Sequence, residues 1–344
     1  MKKVKRSVKI VIAVALVIML LLSSGVIFYL SKLNLIKFSN GKFTWSGSPD
    51  MSDSETLEEE SRMNEAIADL EERDAIDATG EIYKDKRFLN ILLIGTDERA
   101  ESFSENARGD SCMIMSIGKK DGSLKLASLE RGMGVPILEG KYKGQYDWLT
   151  HTFRYGGADL MMREVRECFK VDVERYIRVN FTTFKKGIDS VGGIDITLTA
   201  AEAAYVNAVT GRKTHVAGDN HLDSDAALAY ARCRHIDSDW HRIERQRNVI
   251  QAVVTKTKDL SIVELDTLLN NVLPLVQTNL TRLEITELLL SAPKYRGVQI
   301  KQMTVPISGS YGGMRGLGGR SLFSVDFDTN AKALREFIYD VKSE

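Results

Sequence analysis

Phe88-Leu89-Asn90-Ile91-Leu92-Leu93-Ile94-Gly95-Thr96-Asp97 is an apolar run that stops at a glycine and two polar residues. Such a run reads as a strand buried in a sheet, with its C-terminal edge opening onto a loop. Two further strand-like runs, residues 112–117 and 124–129, are separated by Lys119-Lys120-Asp121-Gly122, a hairpin turn signal. Beyond them the pattern alternates. Helices are expected at 160–169, 183–190, 222–231, 242–258 and 330–341, and strands at 176–181, 194–198 after the Gly192-Gly193 turn, and 298–305. Residues 262–290 are richly apolar with helical spacing, interrupted at Pro274, and residues 309–319 read as a glycine-rich loop. Alternating strands and helices argue for one α/β domain over residues 87–344. No internal repeat is present.

The chain N-terminal to this domain has a different character. Lys2, Lys3, Lys5, Arg6 and Lys9 precede an uncharged stretch over residues 10–31. As a helix at ~1.5 Å per residue it would cross a ~30 Å hydrocarbon core. The basic residues 1–9 place that end in the cytoplasm and everything after Lys32 outside the cell. Ser23-Ser24-Gly25 are small, as at a signal-peptide cleavage site, but the apolar run is longer than a usual signal core and no A-x-A follows it, which favours a retained anchor in the plasma membrane. Residues 43–86 carry fourteen acids against four bases. The expectation is an extracellular acidic stalk over 32–86, partly helical or extended by charge repulsion. The whole reads as one transmembrane helix followed by a single three-layer α-β-α domain with a central mixed sheet.

Net charge is zero with 47 basic and 47 acidic residues, but positions 1–42 hold eight bases and no acid, leaving 39 against 47 in the remainder. No basic surface is left for nucleic acid, so a nucleic-acid partner is excluded. Arginines outside the anchor must act as a local cluster. Three cysteines, Cys112, Cys168 and Cys233, form neither a metal-ligand spacing nor an even disulfide set. Cys233 lies between two arginines, which would lower its pKa, or else it is a small buried residue on the strand face opposite Arg232 and Arg234.

The chemistry gathers in residues 231–246, Ala-Arg-Cys-Arg-His-Ile-Asp-Ser-Asp-Trp-His-Arg-Ile-Glu-Arg-Gln. Arg232 and Arg234 are two apart, as on one face of a strand, whereas Arg242, Arg245 and Gln246 follow helical spacing. Guanidiniums converging from two elements suit a multiply charged phosphate, since a single carboxylate is satisfied by one bidentate fork. A salt-bridged helix start is the plainer alternative, with Asp237, Asp239 and Glu244 as partners. Asp97 and Arg99 leave the end of the first buried strand, where α/β sheets bind ligands, and Arg108 and Asp110 enter the next one. Two carboxylates there would suit Mg2+, which takes one or two carboxylates plus substrate phosphate oxygens; a strand-end ion-pair cluster uses the same letters. Arg131 also stands at a strand end. His235 and His241 bracket two aspartates without any recognised zinc spacing. No P-loop and no nucleophile elbow occur.

In this order the motifs resemble those of the LytR-CpsA-Psr proteins of bacterial cell envelopes. Asn90 to Arg99 resembles the family's opening strand with its Gly-x-Asp-x-Arg end, and Arg108-Gly109-Asp110-Ser111 its Arg-x-Asp-Ser/Thr. Leu126 to Arg131, Val191 to Asp195, Leu222 to Tyr230, and Arg232 to Gln246 are similar to further family segments, the likeness running from residue 87 to about 341. The resemblance implies a phosphotransferase that moves an anionic glycopolymer (wall teichoic acid, capsular or other wall polysaccharide) from an undecaprenyl pyrophosphate carrier to peptidoglycan. It implies Mg2+ on Asp97 and Asp110, and a clamp of Arg99, Arg108, Arg131, Arg232, Arg234 and Arg242 with Gln246 around the pyrophosphate. Asp239, with Asp237 as alternative, would orient the arginines or accept the acceptor hydroxyl's proton. The apolar helices over 262–290 would wall a groove for the lipid tail. Four positions depart from the family: Gly132 where Asp usually follows the arginine, Trp148 and Thr150 where a phosphate-contacting lysine and an asparagine are usual, and His241 where glycine is common. The rival functions are a membrane-anchored protein that binds lipid-linked polymer for regulation, and a hydrolase of the same pyrophosphate.

Overall fold

The computed structural model describes residues 31–42, 54–98, 103 and 107–341. The basic tail and, apart from Ser31, the anchor read from the sequence lie outside them. Among the described residues no helix is long and apolar enough to cross a membrane.

Thirteen strands occur among the described residues: β1 Lys37–Phe38, β2 Phe88–Thr96, β3 Ser111–Gly118, β4 Leu124–Leu129, β5 Gly134–Pro136, β6 Tyr146–Trp148, β7 Arg175–Asn180, β8 Ile194–Leu198, β9 Gly218–Leu222, β10 Gln277–Thr278, β11 Lys301–Val305, β12 Tyr311–Arg315 and β13 Ser321–Val325. The helices are α1 Ser54–Ile67, α2 Leu149–Phe169, α3 Phe181–Ser190, α4 Ala200–Thr210, α5 Ser224–Arg232, α6 Asp239–Lys256, α7 Ile262–Val272, α8 Arg282–Ser291 and α9 Phe327–Tyr339.

The central sheet has seven strands in the order β1-β10-β7-β2-β3-β4-β11. It is mixed: β2 runs antiparallel to β3 and parallel to β7, and β4 runs antiparallel to β3 and parallel to β11. The run read as a buried strand is β2, in the middle of this sheet. Its alternate residues feed two cores. Leu92 and Ile94 join Ile114, Ala127 and Leu129 beneath α2 and α9. Ile91 joins Met113, Ile117, Leu126 and Ile285 on the other face, where Ile250 of α6 and Leu288 of α8 pack. Period-2 alternation with both faces apolar therefore produces a helical layer on each side. A third core joins α3, the β8–β9 hairpin, α4, α5 and Val249 of α6.

The β3–β4 hairpin turns where its letters indicate, with Gly122 at φ 72° and the Gly118 amide donating to Ser123 O at 2.9 Å. Other expectations need correction. The helix over 160–169 is only the second half of α2, which begins at Leu149 and changes direction at Gly156 and Gly157. The glycine-rich loop is largely a hairpin, β12 against β13, and Gly312 faces the Glu71 carbonyl and the Arg73 side chain so closely that a side chain there would clash. Residues 262–290 are not a continuous helical wall: the chain passes from α7 through a 3-10 turn at Pro274 into the short strand β10, between β1 and β7, before α8 begins.

The acidic stretch does not project as a stalk where it is described. Leu33 and Ile36 are buried in the core, β1 pairs with β10, α1 lies along β13, and the backbone of Arg73 and Ile76 hydrogen-bonds to Gly313 and Val325. The folded unit thus reaches back well before residue 87.

Candidate active site at the strand ends

The sheet registers bring the sequence's dispersed motifs together. Gly95 pairs with Ser111 across β2 and β3, and Cys112 pairs with Leu129 across β3 and β4. The exit of β2, the entrance of β3 and the exit of β4 are therefore neighbours, and Asp97, Arg108, Asp110, Glu130 and Arg131 meet there. The segment between α5 and α6 adds the rest. Arg232 is the last residue of α5, and Cys233 at φ −61°, ψ 120° leaves the helix. This corrects the strand reading of Arg232 and Arg234: they straddle a helix end. Cys233 is fully buried, and burial raises its thiol pKa, which removes the nucleophilic alternative.

Two sub-clusters result. The first rims a cavity of about 270 Å³. Leu93, Met113, Ile177, Val179, Phe184, Leu228 and Ile250 form apolar walls, and Asp110, Arg232, Arg234, Arg242 and Gln246 also line it. Arg242 and Gln246 project together from α6 as their spacing requires, with Ser111 Oγ donating to Gln246 Oε1 at 2.9 Å. Arg232 is exposed and stacks on Phe181, its guanidinium carbon 4.7 Å from the ring centroid. The apolar walls of this cavity come from β2, β3, β7, α3, α5 and α6. None of α7 or α8 lines this cavity.

The second sub-cluster is closed. Arg108 is 3% and Arg131 8% exposed, and a carboxylate absent from every sequence argument, Glu59 of α1, lies among them at 4%. Arg131 donates to Glu59 Oε1, Arg234 reaches the same oxygen at 3.3 Å, and Arg108 lies 4.0 Å from Oε2. Burial opposes ionisation of Glu59, but the charges of Arg131, Arg108 and Arg234 hold its pKa down at about 2. Asp239 sits 3.4 Å from Arg131 Nε and accepts from Arg242 at 2.7 Å. Burial would raise its pKa, and those two guanidiniums keep it well below the usual range. Glu130 is the opposite case. Burial, then the charge of Asp239 and a hydrogen bond to it, push Glu130 up to about 8, so it is protonated at neutral pH and donates to Asp239. Neither Glu59 nor Glu130 was legible as a site residue. Glu130 had a faint signal, its place beside Arg131 at a strand end.

The two candidate bases separate cleanly. Asp237 is tied to Arg245, which also bonds Glu202 and the Cys233 carbonyl, so this pair braces the α5–α6 connection while Asp239 belongs to the arginine cluster. His235 and His241 do not meet: the first contacts Arg62 and the second Ser238. Arg99 lies outside the described residues.

Asp97 accepts from the Arg108 amide at 3.4 Å, and its carboxylate is 3.6 Å from the Arg108 guanidinium. Asp110 is pushed upward by burial and by the negative charge of Glu59, and its Oδ1 is buried with no hydrogen-bond partner among the described residues. A buried carboxylate oxygen with no donor is suited to a cation. Among the described residues no group of three or more His, Cys, Asp or Glu is placed to hold a metal. Asp97 and Asp110 alone fit the Mg2+ pattern of few protein carboxylates completed by phosphate and water.

The departures from the family also have places. Trp148 is buried, its Nε1 donating to Ser321 O at 2.8 Å, with the Arg320 guanidinium 5.1 Å from its ring. His241 is exposed on the outer side of α6. A Cβ at Gly132 would come within 2.0 Å of Met63 Cε on α1.

The LytR_cpsA_psr family model matches residues 52–336, most of the chain and all of the site just described. The chain belongs to the LytR-CpsA-Psr family. The match begins just before α1, in agreement with the packed position of that helix. Over 198 residues the chain is 34% identical to the polyisoprenyl-teichoic acid–peptidoglycan teichoic acid transferase TagU of Bacillus mycoides, which is 56% of this chain and 61% of the relative. TagT of Bacillus subtilis, a transferase of the same description, is 31% identical over 51% of this chain and 55% of its own length. The chain thus spans less than two thirds of the length of these curated relatives. Among solved structures, TagT bound to LIIa-WTA superposes with TM-score 0.59 at 25% identity, covering 78% of this chain and 97% of that one. A TagT structure with bound octaprenyl pyrophosphate lipid shares the fold, with TM-score 0.55 at 22% identity over 78% and 97%.

Proposed function

We propose that this LytR-CpsA-Psr protein transfers an anionic glycopolymer from an undecaprenyl pyrophosphate carrier to peptidoglycan, leaving a phosphodiester link. The observation that carries the reading is the amphiphilic cavity: apolar walls reach up to a rim of Arg232, Arg234, Arg242 and Gln246. A polyprenyl chain fits the walls, and a pyrophosphate fits the rim, where planar guanidiniums fork onto its oxygens. That match of shape and charge suits a lipid pyrophosphate better than a soluble nucleotide, which would leave the apolar walls wet.

In the transfer, an acceptor hydroxyl attacks the phosphorus that carries the sugar. The bond from that phosphorus to the bridging oxygen breaks, polyprenyl phosphate leaves with the electron pair, and the acceptor hydroxyl's proton passes to water. Negative charge grows on the leaving phosphate, and donors already aimed at it lower the barrier without reorganising. Arg232, Arg234 and Arg242 with Gln246 hold the pyrophosphate; Arg108 and Arg131 balance the shifting charge, with Arg99 added on the family likeness. Asp239, bonded to Arg131 and Arg242, orients these two guanidiniums, and its depressed pKa makes it a poor base. Asp97 and Asp110 would hold Mg2+, which when bound neutralises phosphate oxygens.

The uncharged stretch over residues 10–31, following a basic tail, supports a single-pass anchor in the plasma membrane with the folded unit outside the cell. Protease added to intact protoplasts should then degrade the folded unit, and full protection would reverse the topology. The activity is tested with the full chain in detergent micelles, a lipid-pyrophosphate oligosaccharide, and Mg2+ or a chelator, with and without peptidoglycan. Mass spectrometry should find phosphodiester-linked polymer and polyprenyl phosphate only when peptidoglycan and Mg2+ are both present. Release of free polymer without peptidoglycan would make the protein a hydrolase, and binding without any product would make it a regulatory binder.

A further inference from the structure

Helix α1 places one carboxylate where three clamp arginines meet. Glu59 Oε1 is shared by Arg131 and Arg234, and Oε2 faces Arg108 with no hydrogen-bond partner among the described residues. The helix is held over the site by specific contacts. Glu60 accepts from Arg320 at 3.0 Å, Asn64 Oδ1 accepts from Ser321 and Arg315, and Met63 reaches the space left by the missing side chain of Gly132. A side chain at 132 would make the flexible end of Met63 move, and an aspartate there would add a negative charge beside Glu130.

We propose that α1 is a built-in lid and that Glu59 is an intramolecular stand-in for a phosphate of the donor. This rests on the lipid pyrophosphate reading above. With the helix down, a carboxylate occupies Arg108, Arg131 and Arg234. The cavity rim still presents Arg232, Arg242 and Gln246. A donor can therefore enter tail first and complete its clamp by expelling Glu59. The exchange is feasible because a pyrophosphate brings more charge and more acceptor oxygens than one carboxylate can offer. The donor's apparent affinity is reduced by the fraction of molecules whose lid is down, so anything that lifts the lid raises it.

The test uses the full chain in detergent micelles and geranylgeranyl pyrophosphate as probe. Affinity is measured by calorimetry for the wild type and for Glu59→Gln, which is nearly isosteric and removes only the charge. A lid closed in about nine molecules of ten predicts roughly tenfold tighter binding in Glu59→Gln. Equal or weaker binding, in a variant whose thermal unfolding matches the wild type, overturns the lid and makes Glu59 a residue that positions the arginines. If Glu59→Gln does not fold, hydrogen exchange of residues 54–67 in the wild type decides instead: the probe should accelerate it, and slowed or unchanged exchange overturns the lid. Failure of the wild type and Glu59→Gln alike to bind the probe would sink the lipid pyrophosphate reading itself, and the lid with it.

Discussion

The arginines of the cavity rim and those of the strand ends are the same residue type around one site, but Arg232 and Arg131 are held differently. Arg232 at the rim is exposed and leans on an aromatic ring, keeping its donors for a ligand. Arg131 is buried and already matched by Glu59 and Asp239, which are matched in turn by Arg108, Arg234 and Arg242. Arg232 can therefore be altered at the cost of a ligand contact, whereas Arg131 belongs to an ion network, shared with the rim's Arg234 and Arg242, whose remaining members would be left buried and unpaired. Motif letters do not distinguish these two roles; burial does.

The sharpest break in that comparison should come from the carboxylates beside the network. Asp97→Ala and Asp110→Ala should each lower Mg2+-dependent transfer by about 10²- to 10³-fold with unchanged thermal unfolding, because strand-end carboxylates at the mouth of a sheet add little to the core. Unaltered turnover in either variant would dismiss the metal assignment. Arg131→Ala should destabilise the fold by about 3 to 5 kcal/mol in denaturant titration, the cost of leaving buried carboxylates without their partner. A loss below about 1 kcal/mol would place Arg131 with the rim rather than with the network.

The rim is tested by keeping charge and changing shape. Arg232 and Arg234 replaced together by lysine should weaken lipid pyrophosphate binding by roughly 1.5 to 3 kcal/mol per lost charge-assisted bond and shift stability by less than about 1 kcal/mol. Wild-type affinity in that variant would remove them from the clamp. The smallest effect is on pH dependence. Glu130 is raised to about 8 in the folded chain, while the unfolded side chain titrates near 4.5. Its contribution is complete below about pH 4.5 and is lost as pH rises through about 8, because over that window the unfolded state releases a proton that the folded state retains. Glu164, on the buried face of α2 and also raised to about 8, acts with the same sign from outside the site. Glu130→Gln should flatten the fall in stability over this window and leave the Glu164 part in place. An unchanged slope by urea unfolding would show that Glu130 is ionised in the fold.

The central strands were legible because their signals are local. β2, β3, β4 and β8 appear within a residue or two of their expected bounds, since apolar runs, the Gly122 turn and the Gly192-Gly193 turn each depend only on neighbours along the chain. Arg232 misled for the same reason. A spacing of two suits a strand, yet Arg232 closes α5, whose N-cap Asp223 accepts from the Ala226 amide and whose alanine-rich face packs into the third core. The region over 309–319 misled in the opposite direction, because glycines that signal a loop also permit a strand wherever another backbone approaches closely. At the site, the aspartates and arginines of the family motifs were readable as candidates, while the division between an open rim and a sealed network was not.

By itself the sequence determined the buried central strand, the α/β alternation, the bias of charge between the first residues and the rest, and the residue types available for phosphate and metal. These follow from periodicity, composition and side-chain chemistry, which belong to the chain whatever its shape. Only the tertiary structure decided that the acidic stretch folds back, that Glu59 reaches Arg131 across 72 residues of sequence, that Asp239 and not Asp237 joins the arginines, and that Glu130 keeps its proton. The physical reason is that ion pairing and pKa depend on burial and on neighbours brought near by sheet register and helix packing, and neither is encoded in spacing along the chain.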